Sequence, residues 1–128
     1  MKVLLIDDDD VFNFVHKRII ERIELGVEVV VIDSCRLALD YLSTPDLVMP
    51  DFIFLDINMP EMNGFDFLDS ASSLPNEVRS KMKVVFVTSS LNEADVTKAH
   101  SYPMVVGFQD KPLNAEVITK LLKGNQPI

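Results

Sequence analysis

A chain of 128 residues with 48% hydrophobic content is one domain with a core of its own, and needs neither disulfides nor structural metal to fold. No apolar run approaches a membrane span, the first residues turn polar too early for a secretory leader, and the single Cys35 fits a reducing, cytoplasmic setting. A net charge of −8 with no basic cluster argues against direct DNA or RNA binding, and the acid excess points to a cation or a cationic protein patch.

Lys2-Val3-Leu4-Leu5-Ile6 reads as a short buried strand that runs directly into Asp7-Asp8-Asp9-Asp10. Four adjacent carboxylates repel one another. Asp9 and Asp10 suit the first turn of a helix, where the dipole favours negative charge. For Asp7 and Asp8, at the strand terminus, a hard divalent cation with oxygen ligands explains more than capping does, while the cluster taken alone divides about evenly between the two readings. Phe12, Val15, Ile19 and Ile23 then recur at helical spacing, and Gly26 is placed to end the helix. His16 falls in this helix with no cysteine, acid or second histidine at ligand spacing, and reads as a solvated surface residue.

Glu28 to Ile32 is β-branched and reads as a second strand. Ser34 can cap a helix with Cys35, Ala38, Leu39 and Leu42 on one face, where Cys35 is a small core residue with no base to activate it. A loop between Thr44-Pro45 and Met49-Pro50 leads to Phe52-Ile53-Phe54-Leu55, four apolar residues of the kind buried on both faces of a parallel sheet. Asp56 ends that run, and Pro60 prevents the strand from continuing. A third helix starts near Phe65, and Ser72 to Lys81, polar and containing Pro75, reads as a surface connection. Val84 to Val87 is a fourth strand ending in Thr88. Ser90-Leu91-Asn92-Glu93 has the form of a capping box for a helix through Ala94, Val96 and Ala99. Met104 to Phe108 reads as a fifth strand, followed by Lys111-Pro112, and a last helix carrying Val117, Ile118, Leu121 and Leu122 stops at Gly124.

Strands and helices alternate, so the expected fold is α/β: a doubly wound, five-stranded parallel sheet with helices on both faces. Its strands would deliver Asp7 and Asp8, Asp56, Thr88 and Lys111 to one end, where open α/β sheets collect their chemistry. A cation held by the acids would neutralise an incoming phosphoryl group together with Asp56. Thr88 and Lys111 would bind the remaining phosphoryl oxygens, and Asp56 could form an acyl phosphate.

In that order and at those intervals, the aspartate pair, the Leu55-Asp56-x-x-Met59-Pro60 run with Gly64, the strand-end Thr88 and Lys111-Pro112 resemble the response-regulator receiver domain of two-component signalling, over nearly the whole chain. The resemblance implies a flavodoxin-like strand order of 2-1-3-4-5, with a receiver domain over residues 1–124 and a short tail over 125–128 carrying no output domain. It implies Asp56 as phosphoacceptor and Mg²⁺ held by Asp8, Asp56 and the backbone carbonyl of Asn58, with Asp7 acting through water. Thr88 and Lys111 would contact the phosphoryl group, with Thr88 and Phe108 as switch residues and Lys111–Pro112 often cis. Phe108 stands where the chemotaxis subgroup commonly has tyrosine, and so lacks that hydroxyl.

The function so implied is not enzymatic turnover but a phosphorylation-controlled interaction module. It would be charged by a histidine kinase or histidine phosphotransfer protein and would act on a further protein. A haloacid-dehalogenase-like phosphatase would also use an aspartyl phosphate, but it usually has a second aspartate two residues on as general acid; here that residue is Asn58, which has no titrating proton to give. A receiver-like module that binds without phosphorylation would not need the acid pair, Thr88 and Lys111 together.

Overall fold

A computed structural model describes residues 1–23, 26–89 and 92–123. The elements are β1 (Lys2–Ile6), α1 (Asp10–Ile23), β2 (Glu28–Ile32), α2 (Cys35–Leu42), β3 (Phe52–Leu55), α3 (Gly64–Ala71), α4 (Asn76–Arg79), β4 (Val84–Thr88), α5 (Glu93–Ala99), β5 (Val105–Asp110) and α6 (Ala115–Leu122). The five strands form one sheet in the order β2-β1-β3-β4-β5, every pairing parallel. This is the expected architecture.

Side chains alternate across the sheet, so it feeds two cores. Leu4, Ile6, Ile53, Leu55, Val84 and Phe86 pack with Cys35, Ala38 and Leu42 of α2, Phe67 and Leu68 of α3, and Ala99 of α5. Val3, Leu5, Phe54, Val85 and Val87 pack with Ile20 of α1 and Ile118, Leu121 and Leu122 of α6. Burying each Leu, Ile, Val or Phe among these contributes about 1.5–3 kcal/mol, which fixes the central strands and the residues at their ends.

Several local expectations need correction. The buried line of α1 is Asn13, His16 and Ile20, while Val15, expected in the core stripe, is 36% exposed. His16 is therefore a core residue and not a solvated one. An apolar periodicity misses a face in which two of three buried residues are polar. The cap of α5 is Asn92, whose side chain accepts from Asp95 N–H at 2.9 Å; the expected cap, Ser90, lies outside the described residues, as do Gly124 and the tail. The surface connection after Ser72 contains the single-turn helix α4. The fifth strand begins at Val105 and extends to Asp110, which brings its end next to Lys111. Asp9 caps α1 as expected, accepting from the N–H groups of Val11 and Phe12. Ser34 caps α2, accepting from Leu37 N–H at 3.1 Å.

Candidate functional site

Three strand ends are tied to their neighbours by one more backbone hydrogen bond just past the last paired residue. Asp7 N–H donates to Ile32 at 3.2 Å, Asp56 N–H to Ile6 at 3.0 Å, and Lys111 N–H to Thr88 at 3.0 Å. These bonds carry the order of the sheet into the first residues of each loop and bring the predicted groups together. Asp7, Asp56 and Thr88 are buried, whereas Asp8 is exposed at the mouth. Lys111 reaches back to place Nζ 2.6 Å from Asp7 Oδ2 and 3.6 Å from Asp56 Oδ1, with its side chain only 5% exposed. The ammonium also lies 4.5 Å from the ring centre of Phe12. Asn58 is exposed, and its side-chain amide donates to Thr88 Oγ1 at 3.4 Å, bridging the loops after β3 and β4.

The loop after Asp56 doubles back because Gly64 N–H donates to Ile57 O at 2.8 Å. A Cβ at Gly64 would stand 2.9 Å from Asp56 O and 2.8 Å from the Phe86 ring, so only glycine lets α3 begin this close to β3. Asn63 and Asp66 then form a reciprocal capping box at the start of α3.

Electrostatics divide the acids. Burial and then the Asp7 carboxylate push Asp56 from 3.8 up to about 6; Lys111 and the Asn58 backbone N–H oppose this, and Asp8 adds the last upward push. Asp7 makes the closer ion pair with Lys111 and accepts from Asp9 N–H at 2.9 Å. One carboxylate oxygen each from Asp7, Asp8 and Asp56 lie within 4.8 Å of one another. A hard oxygen set of this kind suits a small divalent cation, whose charge would offset the crowding that raises Asp56. Cys35 is not part of this chemistry: burial, then Asp56, Asp66 and Asp8, push its thiol up to about 12.

A family model described as response regulator receiver domain matches residues 3–123. The chain belongs to that family. Among solved structures, this receiver domain resembles a two-component response regulator from Cytophaga hutchinsonii at 32% identity, covering 95% of this chain and 93% of that one, with a TM-score of 0.84. It resembles a response regulator receiver protein from Dyadobacter fermentans at 27% identity, with 96% and 95% covered and the same TM-score of 0.84. Among curated proteins it is 36% identical over 113 residues to "Protein-glutamate methylesterase/protein-glutamine glutaminase 3" of Rhodospirillum rubrum, and 31% identical over 123 residues to an uncharacterized response regulatory protein of Yersinia pestis. The receiver domain spans 28% and 48% of those two proteins' lengths, so the activity named for the first is said of that longer protein alone.

Membership in the family makes this a signalling domain of the two-component type. Among the described residues no helix is long and apolar enough to cross a membrane. Reading the sequence missed Asn13, His16 and Phe12, all on the first two turns of α1 and all touching the site or its loops. Asn13 Nδ2 donates to the Asp7 carbonyl at 2.7 Å, and His16 Nε2 accepts from Leu113 N–H at 3.0 Å. Two polar residues three apart inside an otherwise apolar helical face were the available signal.

Proposed function

We propose that the domain is a phosphoacceptor switch in which Asp56 takes a phosphoryl group from a phosphohistidine on a histidine kinase or phosphotransfer protein. The observation that carries this reading is the meeting of two buried carboxylates, one exposed acid and one buried ammonium at three strand ends. Asp8, Asp56 and the backbone carbonyl of Asn58 would hold Mg²⁺, with Asp7 acting through water. The ion would supply charge neutralisation between phosphoryl oxygens and the carboxylates. Asp56 attacks phosphorus as its carboxylate, the donor imidazole leaves, and an acyl phosphate remains. Lys111, already 3.6 Å from Asp56 Oδ1, turns from Asp7 to a phosphoryl oxygen. Thr88 would donate its hydroxyl to another oxygen. Asn58 offers no general acid for rapid hydrolysis, which favours a signal over a phosphatase.

The output would be a change of surface. Phe108 is half-buried on β5, edge-on to His100 with ring centres 5.3 Å apart. When Thr88 moves toward the phosphoryl group, the space it leaves favours the inward side-chain position of Phe108. Burial alone drives this shift, within the roughly 1.5–3 kcal/mol available to a whole side chain. The α5–β5 face near Ala94 and Lys98 would then bind a cytoplasmic protein partner differently; Val106 of β5 packs instead against the core shared with α1 and α6. Beryllofluoride with Mg²⁺ should shift the amide resonances of that face in wild type and much less in Thr88→Ala. Equal shifts in both proteins would show that Thr88 does not carry the signal.

A further inference from the structure

The first two turns of α1 grip both halves of the site, and the sharper of the two grips falls on the lysine loop. His16 is 4% exposed and lies against Leu113, itself 2% exposed, at the start of the segment leading into α6. Its Nε2 accepts the Leu113 backbone N–H at 3.0 Å, across a separation of 97 residues. An acceptor Nε2 is an unprotonated one, so the neutral ring carries its hydrogen on Nδ1. Burial lowers the His16 pKa, with Lys111 in the same direction and Asp7 opposing, which keeps the ring in this neutral form. The His16 ring stacks on Phe12 at 5.7 Å and 28°, and the Lys111 ammonium lies 4.5 Å from the centre of the same Phe12 ring. Lys111 is thus fixed at three points: its own N–H on Thr88, its ammonium against Phe12 and Asp7, and the backbone two residues on against His16.

We propose that His16 is a positioning residue for phosphoryl transfer, holding through Leu113 the loop that carries Lys111 so that the ammonium stays aimed between Asp7 and Asp56. The proposal rests on the phosphoacceptor reading above. It does not require His16 to touch the phosphoryl group. A leucine in its place fills similar volume but offers Leu113 N–H no acceptor, and the loop then relaxes away from α1 to find one in water. Lys111 goes with it, and the phosphoryl oxygens lose a fixed positive charge. A glutamine can present a carbonyl oxygen to the same N–H. Asp8 and Asp56 are held by other backbone, so the cation site persists in both variants.

The test uses the whole chain, acetyl phosphate as donor and intact-mass detection of the added phosphoryl group at saturating Mg²⁺, well below the melting temperature of every variant. His16→Leu is expected to slow labelling at least fivefold while its Mg²⁺ affinity, from calorimetry, stays within about twofold of wild type. His16→Gln is expected to recover at least half of the lost rate. Labelling of His16→Leu at the wild-type rate would overturn the proposal, as would equal slowing in both variants, which marks a role in packing alone. Nitrogen-15 spectra of wild type give an independent decision if His16→Leu does not fold: Nε2 should show the signal of an unprotonated acceptor, and a protonated Nε2 would overturn the proposal. A wild type that takes no label at all removes the phosphoacceptor reading and this proposal with it, whereas a labelled wild type beside an unaffected His16→Leu removes the proposal alone.

Discussion

Replacing Asp56 by asparagine should stabilise the metal-free domain, and the gain should vary with pH in a direction fixed by the site. Asp56 is 5% exposed, and its carboxyl is raised from 3.8 to about 6 by burial first and Asp7 second. A folded-state pKa above the unfolded value means that the native state binds the proton more tightly. Wild-type stability is therefore lost as pH rises from about 4 to about 6, and the full cost of the buried charge remains above pH 6. That cost is about 3 kcal/mol for a pKa raised this far, at 1.36 kcal/mol for each tenfold change in proton affinity. Asparagine keeps the shape and carries no charge, and Lys111 retains its nearer partner, Asp7 at 2.6 Å. The variant should gain on the order of 2–3 kcal/mol at pH 8, equivalent to roughly 10 °C in melting temperature for a domain of this size. At pH 4.5 about a third of the gain should remain. Thermal melts in EDTA at the two pH values read it directly, and saturating Mg²⁺ at pH 8 should narrow the gap by stabilising wild type alone. A variant no more stable than wild type at pH 8, or equally favoured at both pH values, would refute the claim that the buried Asp56 carboxylate costs the fold stability.

Two further outcomes follow from the same geometry. Gly64→Ala should lose about 1–3 kcal/mol in urea unfolding, because the new methyl meets the Asp56 carbonyl and the Phe86 ring below 3 Å; an unchanged midpoint would show that the loop after β3 gives way freely. Asp8→Asn should abolish the stabilisation of wild type by Mg²⁺ while changing the melt in EDTA only slightly, since Asp8 is exposed and is the weakest of the upward influences on Asp56. A variant that still responds to Mg²⁺ like wild type would refute a shared cation site.

The sheet was legible because its central strands, Leu4 to Ile6, Ile53 to Leu55 and Val84 to Val87, are unbroken apolar runs, each ending on the polar residue that matters. Burial on both faces leaves such runs few alternatives, and the polar terminus marks which end is functional. Helix α1 was less legible. Its inward face uses Asn13 and His16 to satisfy backbone groups of Asp7 and Leu113, contacts made across 6 and 97 residues that no local periodicity encodes. The cap of α5 was misassigned because Ser90 and Asn92 are both good capping residues in sequence, and the helix begins at Glu93, directly after Asn92. Proximity of Asp7, Asp8 and Asp56 could be expected from parallel strand ends. That Lys111 rests closer to Asp7 than to Asp56 required the structure.

The most direct test is the covalent state of Asp56. Incubated with acetyl phosphate and Mg²⁺, the wild-type chain should gain the mass of one phosphoryl group, and hydroxylamine should remove it, as expected for an acyl phosphate. Asp56→Asn, and wild type in EDTA, should gain none. Equal labelling of Asp56→Asn, or full labelling without a divalent cation, would contradict the assignment of Asp56 and its acid neighbours as the phosphoacceptor site.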